Sequence, residues 1–94
     1  MAVPPKHLRD VFELFASVSN AKEAEMLLRD ILTPQELESV AERWQLVREL
    51  VKGTPQREIA EKLNLSISKI TRGSRQLQYG SGGFGLFLGK RGGK

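Results

Sequence analysis

The sequence predicts an all-α fold, a small helical bundle, on three observations. Apolar residues recur every three or four positions from Leu8 to Leu77, capping residues stand before most of those runs, and no stretch alternates apolar and polar as a half-buried strand would. A chain of 94 residues has room for one domain and buries a modest fraction of its surface alone, so a second subunit is expected to supply more core.

The first helix is predicted over Lys6 to Val18, where Leu8, Val11, Phe12, Leu14, Phe15 and Val18 share a face. Ser19-Asn20 interrupts it. Asn20 can cap a second helix with Glu23 reaching back, and Ala24, Leu27, Leu28 and Ile31 continue the apolar stripe. Residues 1–31 therefore read as a helical scaffold or dimerisation region.

Residues 32–79 open on the best-marked start: Thr33 as N-cap, Pro34 at the first helical position and Glu36 closing a capping box. Leu37, Val40, Ala41, Trp44, Val47, Leu50 and Val51 form a long stripe that stops at Gly53, with Trp44 expected in the core. Thr54-Pro55 repeats the cap-plus-proline device and opens a short helix, Gln56 to Leu63. Asn64 suits a left-handed exit, and Ser66 is placed to cap a second short helix from Ile67 to about Tyr79. Residues 80–94 hold seven of the nine glycines and favour no stable helix by propensity. A flexible basic tail is expected there, with Phe84, Leu86, Phe87 and Leu88 able to dock on the core or on a partner.

Charge is uneven along the chain. Residues 1–53 carry seven Lys/Arg against nine Asp/Glu, whereas residues 54–94 carry eight against two, with no acid after Glu61. The basic half is the one suited to a polyanion, although a basic tail serves solubility equally well. Pattern favours the polyanion. Ala60 is small where two helices would approach, Ile59, Leu63, Leu65 and Ile70 fill a wedge, and Asn64-Leu65-Ser66 makes a short turn, as a helix-turn-helix requires. Ser68, Lys69, Thr71, Arg72 and Arg75 would then be exposed on the second helix, with Ser66 and Ile67 at its tip, offering hydroxyls, cations and an aliphatic group to phosphates and base edges. The competing reading is an αα-corner with a solvated basic face. For Arg43 it is an ion pair with Glu36 or the neighbours of Glu42, and for Arg72 a phosphate contact.

Other functions find little support. The chain has no cysteine and one histidine, His7, so no disulfide, metal site or catalytic constellation is expected, and no enzyme activity. Gly80-Ser-Gly-Gly-Phe-Gly85 matches a dinucleotide fingerprint in letters only, because no strand precedes it. No apolar run approaches the roughly 20 residues of a membrane span, and Met1 to Lys6 lacks an export-signal pattern, so a cytoplasmic protein is expected.

Leu32-Thr-Pro34, Glu42-Arg-Trp-Gln-Leu-Val47, Gln56-Arg-Glu-Ile-Ala60 and above all Ile70-Thr-Arg-Gly-Ser74 resemble the Trp repressor family, over roughly Leu32 to Leu77. That family is itself a standard example of helix-turn-helix docking. The resemblance implies an intertwined homodimer on double-stranded DNA: a bacterial, nucleoid-associated transcriptional repressor. It implies phosphate contacts from Gln56 and Arg57, and base-facing Ile67, Ser68, Lys69 and Thr71. It also implies an L-tryptophan corepressor, with Arg43 and Arg72 flanking the indole, Leu32, Thr33 and Gly73 as walls, and Gln76 where the family supplies a serine hydroxyl. Three departures bear on that ligand: Gln76 itself, one residue fewer between Gly53 and Gln56, and Lys69 in place of a small polar residue. The Leu77-Gln-Tyr-Gly80 exit is similar to shorter members without an assigned corepressor. Gating by tryptophan or another effector, ungated regulation, and a protein-interaction module using the apolar tail therefore stand as separate expectations.

Overall fold

The computed structural model describes residues 2–88. Among them are six helices: α1 (Pro5–Ala16), α2 (Ala21–Ile31), α3 (Pro34–Lys52), α4 (Gln56–Leu63), α5 (Ile67–Tyr79) and α6 (Gly83–Phe87).

Local hydrogen bonds account for most of the boundaries. Asn20 Oδ1 accepts from the Glu23 N–H at 2.9 Å, while Glu23 Oε1 accepts from the N–H of Ser19, one residue before the cap. Thr33 and Glu36 form a reciprocal box at 2.8 and 3.1 Å, and α3 ends before Gly53, whose φ of +89° suits a residue without Cβ. Asn64 leaves α4 at φ 55°, ψ 50°, in the left-handed region, and Ser66 Oγ caps α5 by accepting from the Lys69 N–H. Thr54 departs from expectation. Pro55 occupies the N-cap of α4 with no side-chain cap, because the Thr54 hydroxyl donates instead to Glu49 Oε1 at 2.8 Å.

The chain forms two compact units, Met1–Leu37 and Glu38–Lys94. In the first unit, α1 and α2 bury no residue, and Leu8, Val11, Phe12, Leu14, Phe15, Met26 and Ile31 are exposed. The second unit holds a core of Leu46, Ile59, Leu65 and Ile70, with Leu50, Ala60 and Leu63 packed against it. Ile59 and Ile70 are fully buried, each contributing about 1.5–3 kcal/mol by removal from water.

Two expectations about packing change. On α3 the buried residues are Leu46, Val47 and Glu49, while Trp44 is half-buried and Val40 and Val51 are exposed. Apolar residues spread over more than half of the circumference of this helix, from Leu46 and Leu50 through Val47 and Trp44 to Ala41, so pattern alone does not select the face that meets the wedge. Within residues 80–94, where a flexible tail is expected, Gly83–Phe87 form α6 behind Gly82 at φ +95°, and Leu88 is buried. Packing of Phe84 and Leu88 supplies what glycine-rich propensity lacks. Lys90, Arg91 and Lys94 lie outside the described residues.

Candidate functional site

The α4–α5 pair has the wedge expected of a helix-turn-helix. Ile59 and Ala60 on α4, Leu65 in the turn and Ile70 on α5 meet, and the Leu65 N–H closes the turn by donating to the Ala60 carbonyl at 3.0 Å. All eight residues proposed to face DNA, namely Gln56, Arg57, Ser66, Ile67, Ser68, Lys69, Thr71 and Arg75, are exposed.

Helical spacing divides α5 into three arcs. Ile70, Ser74 and Leu77 point inward. Ile67, Ser68, Thr71 and Arg75 share an outer arc. Lys69, Arg72, Gly73 and Gln76, spaced 0, 3, 4 and 7, share the arc between. Lys69 thus lies on the arc adjoining the one that holds Ile67, Ser68 and Thr71, and its Nζ lies 3.5 Å from Glu42 Oε1 on α3. Both groups are largely exposed, so this pair orients more than it stabilises.

The middle arc of α5 faces α3 across a cavity of about 410 Å3. Four residues expected to contact a ligand line it together: Arg43, Arg72, Gly73 and Gln76. Leu32 and Thr33 belong to the N-terminal unit. Ser39, Glu42, Leu46, Val47, Leu65, Lys69 and Phe84 complete the lining. The α3 members were recoverable from the sequence by helical spacing about Arg43: Ser39 lies four residues before it, Leu46 and Val47 three and four after. Phe84 carried no such signal, being distant in sequence. Arg43 forms no ion pair among the described residues, so the pairing that would explain it without a ligand is not made. Three cations against one acid, over an apolar floor of Leu46 and Leu65, suit an anion with an apolar body. Gly73 has a packing reason as well, since a Cβ there would come within 2.6 Å of Leu46 Cδ2.

Glu49, unanticipated by sequence, ties α3 to the reading head. Its carboxylate is buried and accepts from Lys62 Nζ on α4 at 2.8 Å and from Thr54 Oγ1 at 2.8 Å, with Lys52 at 3.6 Å. The Lys62 and Thr54 hydrogen bonds, in that order, lower its pKa from 4.5 to about 2 despite desolvation. No helix among the described residues is long and apolar enough to cross a membrane.

A basic, exposed second helix packed through a short turn on a short first helix defines a helix-turn-helix DNA-binding regulator. Comparison with known proteins gives the family. Residues 6–91 match the family model described as Trp repressor protein. A Trp operon repressor homolog of Vibrio parahaemolyticus is 39% identical over 71 residues, covering 74% of this chain and 69% of that protein. Another, from Chlamydia trachomatis serovar L2, is 38% identical over 86 residues, covering 90% and 74%. The crystal structure of a candidate Trp repressor from Staphylococcus aureus shares the fold with a TM-score of 0.86 at 23% identity, over 93% of this chain and 87% of that one. The chain belongs to the Trp repressor family, whose members are DNA-binding transcriptional regulators and not enzymes.

Proposed function

We propose that this chain is a sequence-specific repressor that reads double-stranded DNA as a homodimer, with one α5 in each of two successive major grooves roughly 34 Å apart. The observation that carries the reading is the α4–α5 wedge with its exposed arc of Ile67, Ser68, Thr71 and Arg75. In this role Gln56 and Arg57 hold phosphates at the start of α4, Ser66 and Arg75 bracket the reading surface, and Ile67, Ser68 and Thr71 meet base edges. Lys69 reaches the same groove from the adjoining arc when released from Glu42. The second copy is supported by the apolar residues of α1 and α2 that remain exposed in a single chain.

Selection of bound duplexes from a random pool tests this. An enriched, two-fold-related sequence is expected. Thr71→Ala should blur the preference at one position of each half-site. Arg57→Ala should weaken all duplexes alike and reduce the salt dependence by about one counterion. A monomer that ignores DNA at low salt would overturn the proposal.

A second reading, gating by a small ligand, is favoured by the convergence of Arg43, Arg72, Gly73 and Gln76 on one cavity. L-tryptophan is the ligand suggested by the names of the relatives. Repeating the selection with and without L-tryptophan decides it: identical occupancy in both pools would mean ungated binding. The interaction-module reading is weakened because Phe84 is occupied against Trp44 of its own unit and Leu88 is buried.

A further inference from the structure

The α3–α5 cavity has a wall that neither helix supplies. Phe84 of α6 lines it, and the Phe84 ring stands 6.3 Å from the Trp44 ring, inclined by 31°. Phe84 also lines the adjoining cavity, of about 490 Å3, which Trp44, Leu77 and Phe87 help enclose. Gln76 and Phe84 are the two residues common to both, so together they form the partition.

The position of that partition is set by the backbone. A Cβ on Gly80 would collide with the side-chain amide and main-chain carbonyl of Gln76, so the chain leaves α5 flush against the partition. Gly82 then turns it at φ +95°, and Leu88, only 3% exposed, anchors the far end of α6. A five-residue, glycine-containing helix has little tendency to form alone; its packed side chains hold it. Phe84 is therefore delivered to the cavity by tertiary docking, beside the cations of α3 and α5.

We propose that Phe84 is a specificity-determining residue of this cavity: the ring of an aromatic carboxylate held there by Arg43 and Arg72 lies against Phe84. This rests on the ligand-gated reading above. Aromatic rings favour offset or edge-to-face contact with one another, and guanidinium groups pair with carboxylates. Because the Phe84 ring is also a partition, shrinking it joins the two cavities, and discrimination by ring size falls along with affinity.

Isothermal titration of the full chain with L-tryptophan, indole-3-propionate and 3-phenylpropionate tests this. The first two differ in the ammonium group, the last two in ring size. The wild-type chain is expected to bind the indole acids more tightly than the phenyl acid. Phe84→Ala should weaken the indole acids about tenfold and bring the indole-to-phenyl ratio close to one. Phe84→Leu, which keeps apolar bulk for docking, should retain the wild-type thermal stability yet lose most of the ring-size discrimination. Unchanged affinities and ratio in Phe84→Ala, with only a lower Tm, would make Phe84 a packing residue and overturn the proposal. If the wild-type chain binds none of the three, the ligand-gated reading itself fails, and this inference with it. Binding by the wild type with no change in either variant removes this inference alone.

Discussion

The N-terminal helices and the α4–α5 pair show the same helical periodicity and opposite outcomes. α1 and α2 carry clear apolar stripes, yet they bury no residue, and Phe12 remains 66% exposed. α4 and α5 have fewer apolar residues, yet Ile59 and Ile70 are 0% exposed. Amphipathic pattern states that a face wants cover; it does not state what covers it. In the C-terminal unit the cover is α3, the turn and the facing helix. Among the described residues none on α1 or α2 is buried, which is the physical ground for proposing a second copy.

This contrast can be broken experimentally, and the largest effect belongs to the buried wedge. Ile70→Ala should cost about 2–5 kcal/mol and abolish DNA binding along with cooperative melting, measured by thermal denaturation and a mobility shift. Phe12→Asp should cost on the order of 2 kcal/mol of association free energy, read by sedimentation as dissociation, with little loss of helix content in the separated chains. An unchanged oligomeric state would mean that the exposed stripe is not an interface. Gly73→Ala places a methyl group against Leu46 and should cost about 1–2 kcal/mol, with a Leu46→Ala second change relieving part of the clash.

The smallest effect near neutrality concerns Glu49. Its folded pKa lies below its ordinary value, so its contribution is fully present above pH 4.5 and is lost as pH falls toward about 2. The Tm should therefore not respond to this group at neutral pH and should decline through that acidic window. Glu49→Gln should remove this part of the decline, measured by calorimetry across pH.

Much of the site was legible because its determinants are local. Ser66 beside the Lys69 N–H, Thr33 beside Glu36 and Asn64 at a left-handed exit are decided within three or four residues, and each stands where the sequence indicated. The four cavity residues Arg43, Arg72, Gly73 and Gln76 were reached through family likeness, and they line one cavity. Thr54 was misread because its hydroxyl had two possible acceptors, and the buried Glu49 carboxylate five residues earlier won. Leu46 was missed because α3 is apolar on several sides.

The sequence by itself determined five of the helices, most of the capping and turn chemistry and the exposed outer arc of α5, because helix periodicity and capping depend on neighbours along the chain. Tertiary structure alone decided which face of α3 is core, that Glu49 joins α3 to α4, and that glycine-rich residues 83–87 form a helix carrying Phe84 into a cavity. Those outcomes depend on side chains far apart in sequence competing for the same space and the same hydrogen bonds, and spacing along one helix does not rank such competitors.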